Sequence, residues 1–427
     1  MAIHITGIIA EYNPFHKGHA YHLAQARALT GADYLLVVQS GDFVQRGEPA
    51  LTDKYCRAHM ALAEGADLVL ELPAAYACAS AETFAFGAMS LLNSLGCVDA
   101  LCFGSECGDL SLLSSYAEVL YREPDAYREL LKTLLRQGYS FPLARSKALE
   151  AYLAHLGASL SGKNILSEPN NILGIEYLKA LRLLQSPIRP WTLRRKGSAY
   201  HDLSLNRELA SASAIRRAIH QEGFSQVFHQ LPPKAGRVLK AYFDQKGPLD
   251  WDDFSALLHY QLLSLPQEEL TAYTDVSPDL AARIRRLLPQ FQTATSFASL
   301  LKTRQLTHTR ITRALCHILL ADLKEASDRR KELGYPVYAK ILGFRRESQS
   351  LLSLLKQSAR IPILSRASHG QEFLRGVPAS KEGLFPPQEL LSLFQQDVFA
   401  AHVYESVVTN RYHTPFCHEY TRKMLIV

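Results

Sequence analysis

The chain has 427 residues, of which 47% are hydrophobic and 21% charged. This composition supports a sizeable buried core and excludes wholesale disorder, and at roughly 150 residues per domain the length predicts two or three domains. No stretch approaches the roughly 18–20 uninterrupted apolar residues of a membrane helix, so no membrane association is expected. The seven cysteines are odd in number and contain no CxxC pair. They argue against a disulfide framework or a structural zinc site and indicate a reducing, cytoplasmic compartment.

The formal net charge of +6 is unevenly distributed along the chain. Residues 301–427 contain 19 lysines and arginines against 11 acidic residues, a balance of +8, whereas residues 1–300 contain 28 against 30, a balance of −2. A basic end on a near-neutral body favours an anionic macromolecule as partner, most often a nucleic acid. On charge alone, a solvated basic surface without a partner is an equally good interpretation.

The first 105 residues alternate apolar runs with helical patterns. They predict strands at 3–10, 33–39, 66–72 and 99–103, separated by helices at 17–29, 55–64 and 81–95. Continuous Val, Ile and Leu strands between helices are typical of a parallel sheet covered on both faces. The crossovers are expected to be right-handed, with ligands bound at the carboxyl ends of the strands.

The remainder of the chain is predicted to be mainly helical. A helical insertion covers about residues 110–160, and a second α/β stretch follows with a loop at 164–169, a helix at 170–184, a strand at 188–193 and a helix at 214–220. Beyond residue 221 only 360–364 and 401–409 look like strands. The sequence therefore predicts a Rossmann-like α/β domain at 1–220, followed by a mainly helical, basic region at 221–427.

The sharpest chemical signal lies in residues 7–19, where a buried strand runs into an Asn13-Pro14 turn and a helix begins at about Lys17. Such a junction suits phosphate, because a helix N-terminus presents free N–H groups and a positive dipole. His16 and His19 are expected on one side of the first turn, where they can donate hydrogen bonds to phosphate oxygens and offset charge developing at an α-phosphate. There are two alternatives: the histidines could form half of a metal site, or they could be ordinary residues at the start of a helix. Neither a Walker loop nor a GxGxxG fingerprint is present.

The four residues from His16 to His19 resemble the HxGH signature of the nucleotidyltransferase superfamily, whose fold is shared with class I aminoacyl-tRNA synthetases. Further segments narrow the resemblance, over essentially the whole chain, to the bacterial tRNA(Met) cytidine acetate ligase family: SGDFVQRGEP at 40–49, DKYCRA at 53–58, GADLVLELP at 65–73, FGSE at 103–106, PNNILG at 169–174 and YHD at 200–202. The resemblance implies an enzyme that activates acetate with ATP as acetyl-adenylate. It would then acetylate N4 of the wobble cytidine of elongator tRNA(Met) to N4-acetylcytidine. ATP is the implied co-substrate, accompanied by Mg²⁺, and no dedicated metal site is visible.

The resemblance also implies an ATP site, in which His16 and His19 are catalytic. Its residues are Gly7, Ile8, Ile9, Ala10, Glu11, Tyr12, Asn13, Pro14, Phe15, His16, Lys17, Gly18, His19, Ala20, Gly104, Asn170, Arg195, Ser213 and Arg216. Gly104 follows a strand end, where a side chain would block close approach of a base or ribose, although a plain turn glycine is the alternative. Asn170 and Asn171 can serve as helix N-caps, and the resemblance favours Asn170 for nucleotide contact.

One arginine pair and a serine–arginine pair complete the predicted nucleotide site. Arg194 and Arg195 follow a short strand, and the family pattern points to Arg195. Residues 211–216 resemble the superfamily's second signature, in which Ser213 and Arg216 would close a clamp on the triphosphate. Ala214 replaces a hydroxyl residue that is common in relatives, which weakens any phosphate contact from that position.

Substrate and RNA contacts are predicted from charge and position. Asp42 and Arg46 follow the second strand at the carboxyl edge of the sheet, where Arg46 is a candidate for acetate or phosphate and a structural ion pair is the alternative. The tRNA-binding candidates are Lys302, Arg304, Arg310, Arg313, Arg345 and Arg346. Backbone-tracking cations give salt-dependent affinity, although each of these residues can equally be a surface charge.

Two other functions are compatible with the fold. A small-molecule adenylyltransferase of cofactor biosynthesis would use the same nucleotide site, but it has no need of a basic helical half. A non-catalytic RNA-binding protein would not need both signatures to be intact. The sequence does not indicate an oligomeric state.

Overall fold

The structure is a computed structural model that describes residues 3–156, 165–195, 210–377 and 385–427. Its strands are β1 (Ile5–Ala10), β2 (Tyr34–Ser40), β3 (Phe43–Val44), β4 (Glu48–Pro49), β5 (Leu68–Leu72), β6 (Ala100–Ser105), β7 (Arg189–Arg194), β8 (Ala339–Phe344), β9 (Ile363–Leu364) and β10 (Leu425–Ile426). Its α-helices up to residue 243 are α1 (Lys17–Thr30), α2 (Lys54–Ala63), α3 (Ala74–Ala77), α4 (Ala81–Ser94), α5 (Leu110–Arg122), α6 (Asp125–Arg136), α7 (Phe141–His155), α8 (Pro169–Leu183), α9 (Ala212–Glu222) and α10 (Pro233–Phe243). The later helices are α11 (Ser255–Ser264), α12 (Gln267–Leu270), α13 (Pro278–Leu287), α14 (Ala294–Leu301), α15 (His308–Leu319), α16 (Lys324–Glu332), α17 (Gln349–Ser358), α18 (Gly370–Arg375) and α19 (Pro387–Tyr412).

One sheet organises the nucleotide half. Its strands lie in the order β10-β8-β5-β2-β1-β6-β7, with β9 beside β8. Neighbours pair in parallel, except that β8 runs antiparallel to β5. The predicted Rossmann-like sheet is therefore confirmed, with one antiparallel pairing that was not expected. Strands β3 and β4 form a separate small hairpin directly after β2.

The central strands are apolar throughout because both faces of the sheet are covered. In β2, Leu36 and Val38 pack into one core with helices α4, α5 and α8, whereas Leu35 and Val37 pack into another with α1, α2 and α10. Side chains alternate between the faces of a strand, so burial of both sets requires a continuous hydrophobic run.

The sequence-based prediction of secondary structure was wrong at the C-terminal end. Residues 401–409 were expected to form a strand, but they lie inside α19. Tyr404, Val407 and Val408 are buried there at helical spacing, so tertiary packing outweighs the preference of β-branched residues for strands. Conversely, β8 was not predicted, although all six of its residues are buried. Its one charged residue, Lys340, interrupts the apolar pattern.

The region beyond residue 220 is mainly helical, as predicted, and supplies most of a second core, to which Phe43, Ala74 and Cys78 of the N-terminal half also contribute. Helices α11, α13, α14, α15 and α19 pack there around Phe254, Phe297 and Tyr404. Strands β8, β9 and β10 also come from this region and join the sheet, so the sheet is built from both sides of residue 220. The division into two functional units at that residue stays a prediction. Within the described ranges, no helix combines the length and apolar character needed to cross a bilayer.

Candidate functional site

Two histidines close the N-terminus of α1 at the carboxyl end of β1. His16 is the N-cap residue, and its Nδ1 accepts a hydrogen bond from the Gly18 N–H at 3.0 Å. The Nδ1 of His19 accepts in turn from the His16 N–H at 3.3 Å. The two rings stack with centroids 3.7 Å apart. Because each Nδ1 is an acceptor, each neutral imidazole carries its proton on Nε2, which leaves that N–H to donate elsewhere.

The electrostatic environment keeps these imidazoles neutral. Burial lowers the pKa of His16 to about 3, and the positive charges of Arg195 and Arg216 add to the effect. Burial also lowers the pKa of His19 well below its usual value, assisted by His16 and Arg195. His22, one turn further along α1, has its pKa lowered to about 4 by burial and by Arg195. The site is therefore cationic through its arginines, while its histidines are uncharged donors.

The second signature lies against the first. In Arg216, at the start of α9, Nη1 donates to the Asn13 carbonyl at 2.7 Å and Nη2 to the Ser213 hydroxyl at 3.3 Å. Ser211 caps α9 by accepting from the Ala214 N–H at 3.1 Å. The structure thus brings Ser213 and Arg216 to the turn that precedes His16, as a two-part clamp requires.

Arg194 and Arg195 point to different neighbours. A Cβ added to Gly104 would lie 3.3 Å from Cγ of Arg195, so the Arg195 side chain covers the end of β6. A Cβ added to Gly108 would instead lie 2.5 Å from Cβ of Arg194. Of these two arginines, only Arg195 is among the charges that lower the pKa values of His16, His19 and His22. The geometry therefore separates the two arginines, which sequence register alone did not.

Asn170 and Asn171 are not N-caps but lie in the first turn of α8. Glu106 satisfies that helix end, because its carboxylate accepts from the Asn171 N–H at 2.8 Å and from the Asn170 Nδ2 at 2.6 Å. Asn171 returns a contact, with Oδ1 accepting from the Glu106 N–H at 3.0 Å. Glu106 therefore fixes both asparagines at the end of β6, a role that sequence reasoning did not assign to it.

Within the Gly7–Ala20 segment, some side chains are buried in the core and one links the segment to a neighbouring hairpin. The side chains of Ile8, Tyr12 and Phe15 are buried in the core beneath α1. The Glu11 carboxylate accepts from the Gln45 N–H at 2.8 Å, which ties this segment to the β3–β4 hairpin. Residues 200–202, which contributed to the family resemblance, lie outside the described residues.

Asp42, an acetate candidate, belongs to a buried ionic cluster. It lies 3.6 Å from the Lys54 ammonium, which also contacts Glu71 at 2.8 Å and Glu419 at 3.0 Å, and Lys340 joins the same two glutamates. Burial raises the pKa of Asp42 to about 6, despite the opposing charge of Lys54. The cluster draws on residues more than 350 positions apart, so no local sequence signal could reveal it.

Arg57 is a second buried group that sequence reasoning missed. Its side chain is fully buried, and its guanidinium donates to carbonyls at the ends of two strands: Glu11 at 2.7 Å, Ser40 at 3.1 Å, and Gly41. The preceding loop adds the Thr52 carbonyl at 3.1 Å. Arg57 thereby holds the carboxyl ends of β1 and β2 in a fixed relation beside the histidine pair.

The tRNA-binding candidates fall into two separate places. Helix α15 packs on the β3–β4 hairpin, where the Thr312 hydroxyl donates to the Arg46 carbonyl at 2.6 Å. Arg310 is exposed on this helix and Lys302 and Arg304 are exposed in the segment that precedes it, whereas Arg313 pairs with Asp275 at 3.1 Å.

Arg345 and Arg346 lie at the opposite, amino edge of the sheet. The Arg345 N–H donates to the carbonyl of Asp67, the residue that precedes β5. Arg345 also lines a cavity of about 490 Å³ with Lys234 and Arg237. The six candidates therefore do not form one continuous surface around the histidines.

Comparison with known proteins places this geometry in a family. A protein-family profile described as HIGH Nucleotidyl Transferase matches residues 3–416. The tRNA(Met) cytidine acetate ligase of Halothermothrix orenii is 41% identical over 401 residues, covering 93% of this chain and 94% of the relative. The enzyme of the same name from Clostridium perfringens is 41% identical over 370 residues, covering 86% and 90%.

Solved structures agree across the full length. The crystal structure of apo Thermotoga maritima TmcAL superposes with a TM-score of 0.93 at 32% identity and covers 100% of both chains. The same enzyme bound with alpha-thio ATP superposes with a TM-score of 0.91 and covers 99% of both chains. The chain belongs to the family of tRNA(Met) cytidine acetate ligases, ATP-dependent enzymes built on the HIGH nucleotidyltransferase fold.

Proposed function

We propose that the protein activates acetate with ATP as acetyl-adenylate and then transfers the acetyl group to N4 of the wobble cytidine of elongator tRNA(Met). The observation that carries the first step is the stacked, neutral pair His16 and His19 at the positive end of α1, with Arg195 and Arg216 beside it. Donors arranged in this way are suited to a triphosphate whose α-phosphorus is under attack. Family membership supports the choice of acid and RNA.

In the adenylation step, a carboxylate oxygen of acetate bonds to the α-phosphorus and pyrophosphate leaves. Acetate is already anionic at neutral pH, so this step requires no general base. We propose that the Nε2–H groups of His16 and His19 donate to phosphate oxygens as charge moves onto them. Arg195, and Arg216 with Ser213, would hold the triphosphate so that the leaving group lies in line with the acid.

In the transfer step, the cytosine amine attacks the acetyl carbon, AMP leaves, and the amine nitrogen loses one proton. The base must be unstacked from the anticodon loop to reach the mixed anhydride. We assign Arg46 to this side of the site as the acetate candidate, because the β3–β4 hairpin contacts both Glu11 and α15. Asp42 serves instead to order the loop after β2 through Lys54.

Mg²⁺ is proposed to arrive with ATP rather than in a cage made by the protein. In the part of the chain that the structure describes, no group of three or more His, Cys, Asp or Glu side chains is arranged to hold a metal ion. Glu106 and Glu11 are already engaged with backbone N–H groups. The seven unpaired cysteines support a reducing cytoplasm as the compartment.

For the RNA, we propose a division of labour in which residues 1–220 adenylate acetate and residues 221–427 capture tRNA. Lys302, Arg304 and Arg310 are the proposed phosphate contacts, because they are exposed on or just before the helix that contacts the β3–β4 hairpin. Arg345 and Arg346 would require the tRNA to reach the other edge of the sheet, so we assign them a secondary contact.

Acetate-dependent exchange of labelled pyrophosphate into ATP tests the proposed adenylation directly. The expected result is exchange that requires acetate and proceeds without tRNA. The proposal would be contradicted by exchange that does not depend on acetate, or that depends only on another acid or on a nucleotide acceptor. Either result would favour a small-molecule adenylyltransferase.

A further inference from the structure

A pair of thiols joins the nucleotide half to the helix that carries the predicted RNA-binding arginines. Cys78 directly follows α3, and Cys316 lies in the last two turns of α15. Their Sγ atoms are 3.2 Å apart, and both side chains are almost wholly buried. The two residues are 238 positions apart in the chain. A disulfide needs roughly 2.05 Å between sulfurs, so the two thiols are in contact but not bonded.

The charges around the pair distinguish the two sulfurs. The hydrogen bond between the two thiols lowers the pKa of Cys78, and the positive charges of His317 and Arg313 act in the same direction against burial. Burial raises the pKa of Cys316. His317 is itself held as a cation, because the Asp322 carboxylate is 3.2 Å from Nδ1 and Asp275 is 3.7 Å from Nε2. These charges favour the thiolate at Cys78 over that at Cys316, and the thiolate is the reactive form of cysteine.

Hydrogen bonds also link both sides of the thiol contact to the β3–β4 hairpin. Close behind Cys78, the Ala79 carbonyl accepts from the Gln45 side chain at 2.8 Å, and the Gln45 N–H reaches Glu11. One turn before Cys316, Thr312 is bonded to the Arg46 carbonyl. The pair therefore closes a ring of contacts between α3, the β3–β4 hairpin and α15.

We propose that Cys78 and Cys316 form a peroxide-sensitive dithiol, whose oxidation to a disulfide fixes α15 to the α3 turn. Cys78 Sγ attacks one peroxide oxygen, the O–O bond breaks, and the leaving hydroxide takes up the proton lost by the Cys78 thiol to become water. The resulting sulfenic acid is attacked by Cys316 Sγ, an S–S bond forms, and the sulfenic hydroxyl leaves with the Cys316 proton as a second water. Two thiols and one hydrogen peroxide thus become one disulfide and two waters, and a dithiol reductant reverses the change. This chemistry is independent of the proposed acetyl transfer.

Peptide mapping of the native, full-length protein tests the proposal. The protein is treated with hydrogen peroxide, alkylated under denaturing conditions and digested. The expected product is a linked pair of peptides containing Cys78 and Cys316, lighter than the two free peptides by two hydrogen atoms and released by dithiothreitol. The oxidised protein should also melt at a higher temperature than the reduced one, because the bond closes a long loop in the unfolded chain.

Two variants sharpen the result. Cys316→Ser removes the resolving thiol, so Cys78 should stop as a sulfenic acid that dimedone captures. Cys417→Ser removes a cysteine elsewhere in the fold and should form the 78–316 disulfide like the wild type. Quantitative alkylation of both thiols after peroxide treatment of the wild type would overturn the proposal. So would a disulfide that forms only after denaturation, because the native contact would then not direct the bond.

Discussion

Arg310 and Arg313 lie one turn apart on α15, and the structure predicts opposite consequences when each is replaced by Ala. Arg310 is exposed, and its N–H is bonded to the capping residue Thr307. The Arg313 side chain is only 13% exposed and donates through Nε to Asp275 at 3.1 Å. Arg310→Ala should therefore weaken tRNA binding without unfolding the protein, whereas Arg313→Ala should destabilise the fold.

The size of each effect follows from these contacts. If Arg310 meets one phosphate, its loss should reduce the slope of log affinity against log salt by about 0.7–0.9, with a stability change of no more than about 0.5 kcal/mol. Losing a hydrogen bond between charged groups at Arg313 should cost about 1.5–3 kcal/mol. The cost stays below the about 3–5 kcal/mol of an orphaned buried charge, because Asp275 keeps His317 as a second partner.

Two measurements on the same pair of variants decide the matter. Urea denaturation should show a lowered midpoint for Arg313→Ala alone, and filter binding of tRNA across a salt series should show a reduced slope for Arg310→Ala alone. Acetate-dependent exchange should remain near the wild-type rate in Arg310→Ala, because that residue lies outside the adenylation site. If Arg313→Ala kept full stability and lost salt dependence, the ion pair with Asp275 would not be the role of Arg313 and our reading of α15 would fail.

Three further predictions concern the site and its pH dependence. His16→Asn keeps an N-cap acceptor but removes the Nε2 donor. Acetate-dependent exchange should therefore fall roughly 100- to 1000-fold, which corresponds to about 3–4 kcal/mol, while the circular dichroism spectrum stays unchanged. A near-normal exchange rate would refute the donor role of His16. Arg195→Ala should weaken binding of a non-hydrolysable ATP analogue in calorimetry more than Arg194→Ala does, and equal effects would contradict the geometry at Gly104 and Gly108. The pKa of His317 is raised from 6.5 to about 10, because Asp275 and Asp322 outweigh burial. The stability that protonated His317 gives the fold is therefore fully present below pH 6.5 and is lost as the pH rises towards 10. The free energy of unfolding should fall across that range more steeply in the wild type than in His317→Gln. Parallel profiles would show that His317 is not positively charged in the folded protein.

Local pattern was enough to predict the N-terminal half of the fold. Strands β1, β2, β5 and β6 are short apolar runs bounded by helices, and each was predicted to within two residues of its observed bounds. The strand–turn–helix junction at His16 was predicted for the same reason. β8 was missed because Lys340 interrupts its apolar run, and the charge of Lys340 is paired with Glu71 and Glu419 in the fold. That partnership exists only after folding.

At the site, too, some residue roles follow from the local sequence, whereas others depend on contacts that exist only in the fold. Types and spacings identified the two histidines, and His22 could have been added because it continues their spacing of three along α1. Arg194 could not be distinguished from Arg195, or Arg310 from Arg313, by residue type and spacing, since each choice depends on contacts with distant elements. Glu106 as the partner of Asn170 likewise follows from the adjacency of β6 and α8.

The most direct test of the account is acetyl transfer itself. Elongator tRNA(Met) is incubated with the protein, ATP and isotope-labelled acetate, digested to nucleosides and analysed by mass spectrometry, with wobble-substituted tRNA as the control. We expect labelled N4-acetylcytidine that requires ATP, that is absent from the control tRNA and that is lost with His16→Asn. Label at another position, label in the control tRNA, or no label despite acetate-dependent exchange would contradict the proposed substrate.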